Sequence, residues 1–119
     1  MSNTYKIGES DNRPWGSWEV LSVGDGFCVK KIVVNAGQML SLQSHNFREE
    51  NWIIASGEAL ITLGEEKLTK SVGESVYIGV GVKHRIQNDT DNQLIFIELQ
   101  TGEKLDENDI VRYEDKYGR

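Results

Sequence analysis

The chain has 119 residues, a net charge of -6 and a sequence pI near 4.9. That length suits one domain, which hides roughly two thirds of its unfolded surface and so builds one core. The acidic balance argues against nucleic acid and anionic membranes as partners, and no apolar run reaches the length of a membrane span. A single cysteine, Cys28, excludes an internal disulfide framework. The opening MSNTYKIGESDNRPWG has no apolar core of a signal peptide, so the expected setting is the cytosol.

Residues 1–12 are polar and expected to be loosely held. Arg13-Pro14-Trp15-Gly16 reads as a turn whose tryptophan, with Trp18, covers one end of the core. Residues 18–22 (WEVLS) alternate as a short strand, 24–26 turn, and 27–34 (FCVKKIVV) form a β-branched strand. Cys28 alternates with Val29, which suits a core position better than a nucleophile. Lys30 and Lys31 are adjacent on that strand, so one of them points inward, as a snorkelling stem or toward a ligand pocket. Residues 39–44 follow a turn, and 51–56 and 58–63 flank Gly57 as a hairpin. Residues 67–70, 76–78 and 84–87 are further short strands, and 94–100 (LIFIELQ) is the most apolar one. Residues 106–109 (DEND) can cap or form one helical turn, Ile110-Val111 is a small apolar anchor, and 113–119 is a charged tail. Short strands with turn signals at intervals of roughly ten residues predict an all-β sandwich or barrel.

The chemistry concentrates between Gly37 and Gly57. Gln43 and His45 are two apart, so on a strand both point to one face. Glu50 follows just before an apolar run, where a hairpin could return it beside them. His84, the second of only two histidines, lies in the stretch 73–88. Two imidazoles, a carboxylate and an amide oxygen suit Zn²⁺, Mn²⁺, Fe²⁺, Co²⁺ or Ni²⁺. The absence of thiolates argues against a structural zinc knot and leaves room for a coordination position open to water or substrate. Taken singly, each residue has a simpler role: Gln43 could cap a turn, and Glu50 could pair with Arg48 at the surface.

These two stretches resemble the paired motifs of the cupin superfamily. Gly37, Gln43, His45, Glu50 and Gly57 match the first, and Gly73, Gly81, His84 and Asn88 the second, with Gly79 where proline is usual. The resemblance implies a double-stranded β-helix, or small jelly-roll barrel. A narrower one covers about 13–119: RPWGSWEVL, VKKIVVNAG, LSLQSHNFREENW, IELQTG and DIVRYEDKYGR resemble the cupin domain of type II phosphomannose isomerases. In that family the domain commonly follows a mannose-1-phosphate guanylyltransferase domain. None precedes it in this sequence, so guanylyl transfer is not expected.

The resemblance implies interconversion of mannose 6-phosphate and fructose 6-phosphate through an enediol, with a divalent metal, zinc first, held by Gln43, His45, Glu50 and His84. Arg48 matches an arginine of the family motif and is assigned to catalysis and substrate contact. Glu98 and Gln100 share one face of their strand and could face the pocket, Gln100 as a substrate contact; Glu98 is the candidate base, or else a buried partner of Lys30. Lys30, Arg13, Arg112 and Arg119 are candidates for the phosphate. The family usually has histidine where this chain has Asn46, Phe47 and Asn51, which removes obvious proton carriers. A non-catalytic sugar-phosphate-binding cupin is the alternative, and binding without turnover would distinguish it. The expected partner is a small sugar phosphate, and the expected assembly a two-fold homodimer paired through sheet edges.

Overall fold

The computed structural model describes residues 2–117. Its strands are β1 (Ser2–Asn3), β2 (Ser10–Arg13), β3 (Gly16–Gly24), β4 (Phe27–Val34), β5 (Leu42–Ser44), β6 (Arg48–Ser56), β7 (Glu58–Leu63), β8 (Glu66–Ser71), β9 (Ser75–Ile78), β10 (His84–Gln87), β11 (Leu94–Gly102), β12 (Lys104–Leu105) and β13 (Val111–Glu114). Six of them form one sheet in the order β2-β3-β4-β11-β6-β9, and five form another in the order β13-β5-β10-β7-β8. The non-sequential orders arise because the chain crosses between sheets, as a double-stranded β-helix requires. Among the described residues there is no helix. The segment expected to cap or make a helical turn is a hydrogen-bonded turn, closed by the Asp109 N–H on the Asp106 carbonyl at 3.1 Å. Among the described residues no helix is long and apolar enough to cross a membrane.

Side-chain alternation decides what lies between the sheets. On β4 the buried positions are Cys28, Lys30, Ile32 and Val34; on β11 they are Leu94, Phe96, Glu98 and Gln100; on β6, Arg48, Glu50, Trp52 and Ile54. The antiparallel register turns these into rows across the sheet. Ile32, Phe96 and Ile54 form an apolar row, Lys30, Glu98 and Trp52 a mixed one, and Cys28, Gln100 and Glu50 another. One end of the interior is therefore apolar and the other carries charge. Trp52 joins the two, with its ring 5.2 Å from Phe96 and 5.5 Å from His84 of the facing sheet. The β6–β7 hairpin depends on Gly57 (φ 87°), where an added Cβ would also stand 2.8 Å from the Gln93 carbonyl.

The N-terminus departs from its expected looseness. β1 pairs in parallel with β12, β2 pairs with β3, and Tyr5 is only 5% exposed. Composition hid this because the segment is held mostly by backbone bonds and one tyrosine, whose hydroxyl bonds the Glu107 carboxylate. The charged tail is held likewise: β13 pairs with β5, and Tyr113 and Ser44 share a hydrogen bond at 2.9 Å.

Candidate metal centre

His45, Glu50 and His84 come from three different segments and are all buried. Their donor atoms lie within 4.8 Å of one another. Glu50 is an inward position of β6, and His84 opens β10 directly opposite Gln43 of β5. Opposed residues share a face of the sheet, so Gln43 sits beside His84 on the cavity side. All four residues read as metal ligands are thus brought to one end of the barrel.

The backbone fixes what each imidazole offers. His45 Nδ1 meets the Asp109 carbonyl at 2.6 Å, and His84 Nδ1 meets the Val82 carbonyl at 2.9 Å. A carbonyl can only accept, so both Nδ1 atoms carry a proton and each ring turns its Nε2 inward. Those Nε2 atoms face Glu50, His45 Nε2 at 3.2 Å from Oε2 and His84 Nε2 at 3.8 Å from Oε1, and Arg48 Nη2 donates to His45 Nε2 at 3.4 Å. The His84 Nε2 atom is buried and has no hydrogen-bond partner. Burial pulls His45 down to about 4, against the raising effect of Glu50, so the close His45–Glu50 contact is not an ion pair near neutral pH. Burial alone would raise the Glu50 carboxyl, but the Arg48 guanidinium, then His45 and His84, hold it below the usual carboxylate range. Arg48 Nε and Trp52 Nε1 donate to the two Glu50 oxygens, so the unpartnered polar atom of the cluster is His84 Nε2; two imidazole nitrogens and a carboxylate converging around it are the donor set of a divalent cation, and the residues fit one.

A cavity of about 200 Å³ opens beside this cluster, lined by Gln43, Glu50, Arg48, Glu98, Lys30, Arg13, Arg112, Trp15 and Trp18 among others. It lies below the ~300–1,000 Å³ of drug-sized sites, which favours a small polar ligand. The tryptophans expected to close the core are cavity walls as well, 5% and 6% exposed. Arg48 does not lie at the surface with Glu50. The pair is buried, Nε to Oε2 at 2.8 Å, with Nη1 donating to the Asp106 carbonyl at 3.2 Å.

Glu98 accepts from Gln100 Nε2 at 2.7 Å and from Trp52 Nε1 at 3.2 Å. Burial, and next the nearby Glu50 charge, push its carboxyl up to about 8, with Lys30 pulling the other way. Lys30 is the inward lysine, yet its hydrogen bonds go to Glu107 Oε2 (2.7 Å) and Tyr5 Oη (3.2 Å), not to Glu98. Gln100 was assigned to substrate contact, but it is fully buried behind Glu98 and is not among the cavity-lining residues; it orients Glu98. Arg13 lines the cavity while paired with Asp11 at 3.2 Å, and Arg112 lines it from β13, opposite Gln43. Arg119 lies outside the described residues.

The three positions where the family usually has histidine do not face this cavity. Asn46 and Phe47 are exposed, and Asn51 is an outward position of β6. Their substitution therefore takes no imidazole from the cavity wall. Sequence reasoning missed Tyr5, Glu107 and Asp109, each of which touches a site residue. The only signal was the acidic run 106–109, which local patterning reads as a cap.

The two-sheet barrel with an inward His/Glu/His cluster has the cupin fold, and its solved structural neighbours include cupin domains. A Klebsiella pneumoniae protein with a double-stranded β-helix domain superposes with a TM-score of 0.71 at 18% identity, covering 93% of this chain and 84% of that one. Within that class, residues 2–115 match the family described as mannose-6-phosphate isomerase C-terminal, and the chain belongs to it. It is 49% identical over 107 residues to the xanthan biosynthesis protein XanB of Xanthomonas campestris pv. campestris, covering 90% of this chain and 23% of that protein. It is 46% identical over 107 residues to a mannose-1-phosphate guanylyltransferase of Salmonella montevideo, with the same 90% and 23% coverage. The chain thus spans about a quarter of the length of these curated relatives.

Proposed function

We propose that this domain is a metal-dependent sugar-phosphate isomerase, interconverting mannose 6-phosphate and fructose 6-phosphate. The observation that carries the reading is a buried carboxyl, Glu98, raised to about 8 and lining the same cavity as Gln43 and as Glu50 of the His45/Glu50/His84 cluster. The family and a relative's name both point to mannose phosphates.

His45, Glu50 and His84, with Gln43 beside them, would hold a divalent cation, zinc in the first instance. Such an ion supplies charge stabilisation to oxygens of a developing enediolate. The remaining work falls to the chain's own groups. Glu98, pushed up to about 8, takes and returns the proton between C1 and C2 at neutral pH. Gln100 and Trp52 hold its two oxygens so that the carboxyl does not rotate between the transfers. Arg13 and Arg112, lining the cavity from the two different sheets, offer planar donors to the phosphate. Trp15 and Trp18 wall the cavity against bulk water. The outward placement of residues 46, 47 and 51 supports this reading over a binding-only cupin, whose case rested on their lost imidazoles.

The test is incubation with mannose 6-phosphate and Zn²⁺, Mn²⁺ or Co²⁺ in D₂O, followed by NMR. Fructose 6-phosphate, or deuterium at C1 or C2, that Gln43→Ala/His45→Ala protein does not produce is the expected result. Ligand broadening without exchange under any of the metals would overturn the isomerase reading and leave a binding module.

A further inference from the structure

We propose that Asp109 is the positioning residue of the metal centre, gripping the segment His45-Asn46-Phe47 so that the His45 Nε2 lone pair faces Glu50; this rests on the metal-site reading above. Asp109 is 7% exposed and lies on the turn between β12 and β13, far from His45 in sequence. Its carboxylate accepts the Asn46 N–H at 2.8 Å through Oδ1 and the Phe47 N–H at 3.0 Å through Oδ2. Its carbonyl accepts the His45 Nδ1 proton at 2.6 Å. One residue thus holds three consecutive residues by three hydrogen bonds.

The geometry divides the labour. The carbonyl selects the tautomer, because only an Nδ1–H can bond to it. The carboxylate holds the carbonyl in place, because both of its oxygens are bound to the segment that carries His45. The turn is anchored in its own right: the Asp109 N–H bonds the Asp106 carbonyl, which also receives Arg48 Nη1. On the other side, the Gly81 N–H holds the His45 carbonyl at 2.8 Å. His84 needs no such device, since its Nδ1 partner is two residues away on its own loop. His45 precedes a bend whose next two residues are exposed, and its orientation must come from elsewhere in the chain. Outer hydrogen bonds of this kind set the basicity and direction of a ligating imidazole, and their loss costs about 10- to 100-fold in metal affinity.

The experiment measures two things on full-length wild-type, Asp109→Ala, Asp109→Asn and His45→Ala proteins: Zn²⁺ and Co²⁺ affinity by competition titration, and the ¹⁵N shifts of the His45 ring. Wild type should show one tautomer with the proton on Nδ1. Asp109→Ala should show mixed tautomers and bind metal about 10- to 100-fold more weakly. Asp109→Asn, which keeps an acceptor oxygen, should fall between, and it carries the test if the alanine variant does not fold. A purely structural role would lower the melting temperature and leave tautomer and affinity alone, and that result overturns the proposal. If wild type binds no metal, the reading of a metal centre falls. The ring shifts then still decide whether Asp109 orients His45, a single unchanged tautomer in both variants refuting it.

Discussion

Glu50 and Arg48 are, respectively, 1% and 6% exposed and meet at 2.8 Å, so each is the other's main compensation for lost hydration. Changing Glu50 to Gln keeps the shape and removes the charge. The guanidinium is then left buried without the carboxylate that faces it. Breaking a buried pair in this one-sided way costs about 3–5 kcal/mol. For a domain of this size, 1 kcal/mol moves the melting temperature by about 4 °C, so the expected drop is about 12–20 °C. Removing both charges, as Arg48→Met/Glu50→Leu, strands nothing, and the double variant should lie within about 1–2 kcal/mol of wild type. Urea unfolding with a chelator present isolates the pair from any bound ion. Acid should shrink the single-variant effect. The Glu50 carboxyl is held below its ordinary 4.5, so its contribution is present above that pH and fades as the pH falls below it. A Glu50→Gln protein within 1 kcal/mol of wild type, or a double variant that loses the sum of both singles, would refute the argument.

Glu98 should show the opposite pH trend. With its carboxyl raised to about 8, the native state keeps a proton that the unfolded chain has released above about 4.5. Stability should then decline with rising pH across that window, by at most about 1.4 kcal/mol per unit, and Glu98→Gln should flatten the curve at pH 5, 6.5 and 8. Cys28 is fully buried and its thiol is pushed up to about 11, chiefly by burial. Ellman's reagent at pH 8 should find no reactive thiol in the native protein and one in denaturant. Tyr5→Phe removes the hydroxyl shared with Lys30 and Glu107 and should cost about 1 kcal/mol in urea unfolding, whereas a loosely held N-terminus would register no change.

The fold was legible because it is written in short-range terms. Alternation along 27–34 and 94–100 placed the strands, and glycines and polar clusters placed the turns. The candidate metal cluster was legible for a related reason: Gln43 and His45 share a face by parity, and motif spacing supplied Glu50 and His84. Patterning also stated that one of Lys30 and Lys31 must point inward, but not which, because that depends on the sheet that covers the strand.

The rest is non-local. The loose N-terminus proved to be tied down by pairing with β12, about a hundred residues away. Lys30 found its partner in Glu107, not in its cross-strand neighbour Glu98, because the acidic turn folds over the cavity and brings a better-placed carboxylate. The positions where family histidines are replaced looked like a loss of proton carriers until the course of β6 turned Asn51 outward and the bend before it left Asn46 and Phe47 exposed. Sequence alone determined which residue types were available and which strand face each would occupy, since strand parity is a property of the backbone. Only the tertiary structure decided which faces meet, and with them the His45 tautomer, the burial of the Arg48–Glu50 pair and the raised Glu98 carboxyl. Those properties depend on distance and hydration, and both are set by segments that the chain brings together from its opposite ends.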